Sequence, residues 1–389
     1  MGRPADLEPP PQPRFAGRWS SGDKSGAEPA RSAGSPAQGR PGALVQLAAP
    51  GDKKRFVRAP PDHSQRWRRV FQLAFVALNV VIGVQFWAFV RFYETGGATA
   101  AVSRPPGVEG WLPIAALMNL KATVLSGELP TQFPAGMVLL VAFLAITFLF
   151  RKAFCSWLCP IGTISEGLWK LGRRVFGRTF PLPRWLDWPL RALKYLLLAF
   201  FLWAVAGMSV EAIRGFLASP YGIVADVKML DFFRRMSTTG AVVVGVLVVA
   251  SVLVPNLWCR YLCPYGALHG LLSWLSPVRI RRDADACIDC GKCAKACPSR
   301  LPVDVKASIA SPECTGCLEC VAVCPVKDTL ALAPARRSRW SARWIAAGIA
   351  VLFLGLTGLA RLTGHWDTVV DPRIYSAIIP QVADLDHPR

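Results

Sequence analysis

No C-x-x-C-H haem-attachment motif occurs in the sequence, and neither a glycine-rich phosphate loop nor a nucleophile–base set can be assembled from it. Covalently attached haem, nucleotide-driven chemistry and a catalytic residue of the hydrolase kind are therefore not expected. Acidic residues are scarce, with 25 Asp and Glu against 45 Lys and Arg and a net charge of +20. In a soluble chain such an excess would point to nucleic acid. Here Lys and Arg cluster at the ends of apolar runs, where membrane topology and an anionic lipid surface account for them, so no nucleic-acid partner is expected. Charge of either sign is missing altogether from Val70–Val90, Pro134–Phe150, Tyr195–Val210, Met236–Leu257 and Trp344–Ala360.

With 52% hydrophobic residues, 14 Trp and a mean hydropathy of +0.34, the chain is too apolar for a soluble protein of this charge. The uncharged runs are read as five membrane spans. Crossing the hydrocarbon takes about 20 residues, or about 17 when flanking side chains reach back to the surface. The third run is short, and Lys194 is expected to snorkel at its start. The Lys/Arg asymmetry places the N-terminus, the 151–194 segment and the 258–343 segment in the cytoplasm. The C-terminus, with Asp367, Asp371, Asp384 and Asp386, faces out. Residues 1–65, rich in Pro, Gly, Ala, Ser and Arg, read as a disordered cytoplasmic tail. RRVFQLAFVALNV (68–80) has a twin-arginine look, but no cleavage site follows, and a signal-anchor span is the better reading.

Eight cysteines fall in one polar segment, as CIDCGKCAKACP and CTGCLECVAVCP. Both are C-x2-C-x2-C-x3-C-P, the bacterial ferredoxin run, in which three close thiolates wrap one cubane and the fourth reaches the other. Two [4Fe–4S] clusters are predicted, one on Cys287, Cys290, Cys293 and Cys324, the other on Cys314, Cys317, Cys320 and Cys297. Zinc sites show cysteine pairs rather than triples. Disulfides belong outside, whereas this segment maps to the reducing cytoplasm. Adjacent clusters with no substrate pocket between them make an electron relay.

The other four cysteines lie in a repeat. VLLVAFLAITFLFRKAFCSWLCPIG (138–162) and VVVGVLVVASVLVPNLWCRYLCPYG (242–266) align without a gap. Each follows another span, so the chain reads as two two-span units in a parallel repeat. The i, i+4 spacing puts both sulfurs of a motif on one helical face, and the proline disfavours helix at the residue before it, fixing where each helix ends. Cys155, Cys159, Cys259 and Cys263 are thus candidates for a four-thiolate site at the cytoplasmic membrane face. It would hold a metal or an additional cluster, or act as redox-switching thiols; the alternative is four packed free cysteines. His269 follows the second motif but aligns with Ser165 in the first, so it reads as a satisfied or solvated histidine. His365 is placed outside, and His63 and His387 sit in polar tails. Arg104, Glu109 and Lys121 receive no role.

These motifs resemble the membrane-bound polyferredoxins of the periplasmic nitrate reductase (NapH) and nitrous oxide reductase (NosR) type. The match rests on Cys155, Cys159, Pro160, Cys259, Cys263 and Pro264, the eight ferredoxin cysteines, and RPPGVEGWLPIAALMNLK (104–121), and it covers residues 66–389. The NosR type carries an outward flavin domain before its first span. No such domain surrounds Thr99 in GGATAAVS, and no flavin is expected. The resemblance implies a multi-pass protein of the bacterial inner membrane that passes electrons between the quinol pool or a cytoplasmic donor and a periplasmic or membrane redox partner. A copper reductase or oxidase-assembly factor, or a redox-sensing regulator, stands as the alternative. The fold class is membrane α-helical: a tail (1–65), two two-span units (66–175 and 176–280), a two-cluster α+β ferredoxin domain (281–335) between spans four and five, and a fifth span with a periplasmic tail (336–389).

Overall fold

The structure is a computed structural model that describes residues 57–60, 62–178, 180, 182–334 and 339–385. Most of the tail expected to be disordered, together with Asp386 and His387, lies outside the described residues. The described end of that tail departs from the expectation. Val57 and Ala59 exchange backbone hydrogen bonds with Lys327 and Pro325, and a helix starts at Ser64.

Every uncharged run is helical over most of its length. In chain order come α1 (Ser64–Glu94), a 3-10 turn (Pro106–Trp111), α2 (Pro113–Ser126) and α3 (Pro134–Phe150). After a π-helical turn (Phe154–Leu158) follow α4 (Pro160–Phe176), α5 (Arg184–Gly207), α6 (Val210–Ala218), α7 (Pro220–Ile223), α8 (Ala225–Arg234) and α9 (Thr238–Leu253). A second π-turn (Trp258–Leu262) leads to α10 (Pro264–Leu275). The ferredoxin segment holds β1 (Arg279–Arg282), α11 (Lys292–Ala296), β2 (Ser308–Ile309), α12 (Glu319–Ala322) and β3 (Leu330–Ala333). The chain continues with α13 (Ala342–Leu362), α14 (Pro372–Ile378) and a 3-10 turn (Ile379–Asp384).

By length and composition α1, Trp185–Gly207 of α5 and α13 can cross a membrane, and α8 with α9, bent by 81° at their junction, make a fourth candidate. α3 is shorter, at 17 residues. Side chains such as Val81, Trp203, Val246 and Val351 stand exposed on these helices. Water would penalise that surface; lipid tails match it.

The antiparallel sheet has the order β2-β1-β3, with Ile280 opposite both Ile309 and Leu332. Its inner face shares one core with Ile146 of α3, Trp157 of the first π-turn, and Ile345 and Ile349 of α13. The ferredoxin segment is therefore packed into the helical part rather than hung from a linker, and β1 starts at Arg279, ahead of the expected boundary at 281. Ion pairs gather at the two ends of the helices. Arg68–Glu319, Lys194–Glu313 and Arg260–Asp187 lie at the ferredoxin end. Arg104–Asp226 and Arg234–Glu94 lie at the other. There too Lys121 Nζ donates to the carbonyls of Val205, Ala206 and Met208 at the end of α5, supplying the cation that a helix C-terminus favours. The C-terminal segment is not a loose tail: Tyr375 and Ile379 pack on Phe89 and Val90 of α1.

Candidate iron–sulfur sites

The two membrane motifs adopt the same local structure. In each, an i→i+5 hydrogen bond closes the π-turn, from Cys159 N to Phe154 O at 2.9 Å and from Cys263 N to Trp258 O at 3.0 Å. Single π-turns of this kind are frequent at functional sites. Cys159 (φ −62, ψ 118) and Cys263 (φ −77, ψ 107) are then extended, as the residue before proline prefers. The proline fixes where the π-turn ends, as expected, and it does more. It opens α4 and α10 at their first position, where its missing N–H costs nothing. Each second cysteine thus caps a helix N-terminus, and Gly266 N donates to Cys263 Sγ at 3.2 Å. Gly162 is required by contact: a Cβ there would stand 2.2 Å from Cys155 O.

Cys155, Cys159, Cys259 and Cys263 line one end of a cavity of about 1250 Å³. Its walls are apolar, with Ile82, Leu247 and Phe353 among them, and it reaches Arg104 and Trp366 at the opposite end of the helices. The four thiols are close enough to feel one another. Burial, with the charge of Cys159 and Cys263 added, pushes Cys155 up to about 12. Burial pushes Cys159 up to about 11, with Cys263 adding to it and the Gly162 and Ile161 amides opposing. Cys259 and Cys263 are also raised by burial.

Cations surround this group. Lys152 (4% exposed) and Lys194 (0%) both act on Cys155 and Cys263, and Arg260 lies between the cysteines of the second motif. Lys194 does not snorkel. It is buried with its Nζ 2.7 Å from Glu313 Oε1, because the ferredoxin segment covers the N-terminal half of α5. Burial raises the Glu313 carboxyl, but Lys152 and Lys194 outweigh it and hold it below its usual range. His269 is fully buried between Phe154 and Tyr265, its Nδ1 2.7 Å from Thr147 Oγ1. Burial, with Lys152 nearby, drops it to about 3, so it is neutral. His365 and His63 are exposed.

The ferredoxin cysteines fall into two groups. Cys297, Cys314, Cys317 and Cys320 line one small cavity, and Cys287, Cys290, Cys293 and Cys324 line another. The two C-x2-C-x2-C turns share a backbone pattern. Asp289 and Gly291 in one, and Gly316 and Leu318 in the other, are left-handed, at φ 52, 66, 63 and 60. Gly relieves the strain at one position in each turn, and Asp289 and Leu318 bear it at the other. Among the described residues no three His, Cys, Asp or Glu side chains converge on the position of a single ion. A cubane asks for something else, since each thiolate takes its own iron, and the all-cysteine donor sets fit that demand.

Both membrane motifs touch the first of these groups. Ser156 Oγ donates to Thr315 O at 2.6 Å, and Trp157 Nε1 donates to Gly316 O at 3.3 Å, in the loop between Cys314 and Cys317. Arg260 Nη1 donates to Ser299 O at 3.3 Å, just past Cys297. From α1, Gln65 Nε2 donates to Cys317 O at 2.9 Å. Arg68, 3% exposed, binds Glu166 at 2.6 and 2.7 Å and Glu319 at 2.9 Å. Arg68, Lys152, Ser156, Glu166 and Glu313 were not marked from sequence. Their only signal is polarity beside a cysteine motif or inside an apolar helix.

Apolar helices joined to cysteine sets of this kind define a membrane-bound iron–sulfur protein. A family model described as a 4Fe-4S binding domain matches twice, at 132–179 and 236–283, and one described as a 4Fe-4S dicluster domain matches 279–325. The putative electron transport protein YccM of Escherichia coli K12 is 50% identical over 327 residues, covering 82% of this chain and 92% of that protein. The ferredoxin-type protein NapH of the same organism is 28% identical over 240 residues, 58% of this chain and 75% of that one. The regulatory protein NosR of Pseudomonas aeruginosa is 31% identical over 179 residues, 44% and 23% of the respective chains. No solved structure matches. The chain belongs to the NapH/NosR-type membrane-bound polyferredoxins, and iron–sulfur electron transfer is its chemistry.

Proposed function

We propose that this protein is a five-span relay of the bacterial inner membrane that accepts electrons from the quinol pool or a cytoplasmic donor and serves a periplasmic or membrane redox partner. The observation that carries this is the docking of both membrane cysteine motifs on the loops around one ferredoxin cysteine group, through Ser156, Trp157 and Arg260. Cys287, Cys290, Cys293 and Cys324 would hold one [4Fe–4S] cluster, and Cys314, Cys317, Cys320 and Cys297 the second. Such clusters supply one-electron transfer at potentials set by burial and by hydrogen bonds to sulfur. This chain's residues supply both: Cys287, Cys293, Cys314 and Cys320 are buried, and Leu301 N donates to Cys297 Sγ at 3.5 Å. Cys155, Cys159, Cys259 and Cys263 form a further redox site between the ferredoxin segment and the membrane.

The apolar cavity ending on those four cysteines supports a quinol as donor. Its volume exceeds the usual ligand-pocket range of about 300–1,000 Å³, which leaves room for a ring with the start of an isoprenoid tail. The N-terminus and ferredoxin segment are assigned to the cytoplasm from the Lys/Arg asymmetry. The test is anaerobic purification, followed by EPR during titration with a quinol. Signals from two clusters should appear as quinol is added. Cys293→Ser should remove one signal and Cys297→Ser the other; loss of the same signal in both variants would break the crossed ligation. A reporter fused after Arg389 should be active only on the periplasmic side.

A further inference from the structure

Each matched 4Fe-4S stretch, 132–179 and 236–283, contains only two cysteines. A cubane needs four protein ligands, so neither stretch can hold one by itself. The fold puts the two pairs at one end of the same cavity. Cys159 and Cys263 each cap a helix N-terminus, where backbone amides favour a thiolate, and Gly266 N already donates to Cys263 Sγ.

The charge around the four thiols points the same way. Lys152 and Lys194 are both buried, and both face the single carboxylate Glu313. Arg260, 8% exposed, lies 3.1 Å from Asp187, which it shares with Arg191. The lysine–glutamate group is left with one positive charge in excess, which is costly inside a protein unless an anion joins it. Four thiolates on an iron–sulfur core outweigh its positive charge, so the filled site would be that anion. Iron binding would release the thiol protons.

We propose that Cys155, Cys159, Cys259 and Cys263 hold a third [4Fe–4S] cluster, one site built jointly by the two repeats, with Lys152 and Lys194 as its counter-charges. Disulfide switches would leave that excess positive charge without a counter-ion. A lone divalent cation would need the sulfurs drawn to one point. The proposal rests on the relay reading and deepens it.

The test uses the full chain in detergent, purified anaerobically and reconstituted with iron and sulfide. The expected content is about twelve iron and twelve sulfide per chain. Cys155→Ala combined with Cys259→Ala should bring both to about eight while the ferredoxin EPR signals persist. Lys152→Met should keep the iron and lower the reduction potential of one component, since a positive charge that favours the reduced form is gone. About eight iron in the unaltered chain, an unchanged count in the double variant, or zinc lost in place of iron would each overturn the third cluster and leave the relay standing. Ferredoxin cysteines that bind no iron would overturn the relay itself. The count on the unaltered chain needs no variant to fold.

Discussion

Removing the Arg68 guanidinium, as Arg68→Met does with little change in length, should destabilise the junction between α1, α4 and the ferredoxin segment. Arg68 is 3% exposed and satisfies two carboxylates at once, Glu166 at 2.6 Å and Glu319 at 2.9 Å. Burial alone would raise the Glu166 carboxyl, but Arg68, helped by Lys170, holds it at about 2. Bringing a carboxyl down to about 2 from its ordinary range near 4.5 corresponds to about 3 kcal/mol, the scale on which breaking a buried pair costs stability. Lys170 remains in the variant, so the loss is expected at or somewhat below that figure. The sign with pH follows from the depressed value. The contribution is full above the unfolded carboxyl's range, about pH 4.5, and is lost as pH falls through about 2. Thermal unfolding in detergent, followed by tryptophan fluorescence, should show a lower midpoint for the variant at pH 7 and a gap that narrows below about pH 4.5. A variant as stable as the parent at pH 7, or a gap constant down to about pH 3, would refute the reasoning.

The two motif glycines should behave differently despite their matched positions. Gly162→Ala puts a Cβ 2.2 Å from Cys155 O and should cost about 1–3 kcal/mol, whereas Gly266→Ala meets nothing closer than 3.5 Å and should be nearly silent in the same melt. Ser156→Ala leaves Thr315 O without its donor and should cost about 1 kcal/mol, with a changed EPR line shape for the cluster on Cys297, Cys314, Cys317 and Cys320 alone. His269, held neutral at about 3 by burial, withdraws stability as pH falls below about 6.5 toward that value. His269→Leu should therefore flatten the fall in midpoint between about pH 6.5 and 5; an unchanged slope would remove His269 from the acid response.

The helices were legible because lipid demands long uncharged runs: α3 coincides with its run and α13 nearly so, while α1 and α5 start well before theirs, in charged sequence that only the packed fold makes helical. The ferredoxin groups were legible because ligand spacing along a short turn is dictated by the cubane, leaving little for the rest of the fold to decide. The π-turns were not. A spacing of i and i+4 suits an ordinary helix equally well, and only a backbone bond from Cys159 to Phe154 distinguishes the two. Lys194 was misread for a similar reason. A lysine at the end of an apolar run has water within reach when a span stands alone, and nothing local reveals that Glu313, far along the chain, will close over it. Arg104 received no role because its partners, Glu109 and Asp226, meet only after the loop before α2 folds against α8.

Val57 and Ala59 pair with Lys327 and Pro325, so the stretch just ahead of the first helix is stitched to the stretch just after Cys324. During synthesis the first partner waits while nearly the whole membrane part is made and inserted. The edge beside Cys324 can close only once both have emerged, which makes it a late event in the life of the nascent chain. Ribosome-bound chains stalled before residue 325 should leave residues 57–60 open to protease, and chains released after residue 334 should protect them.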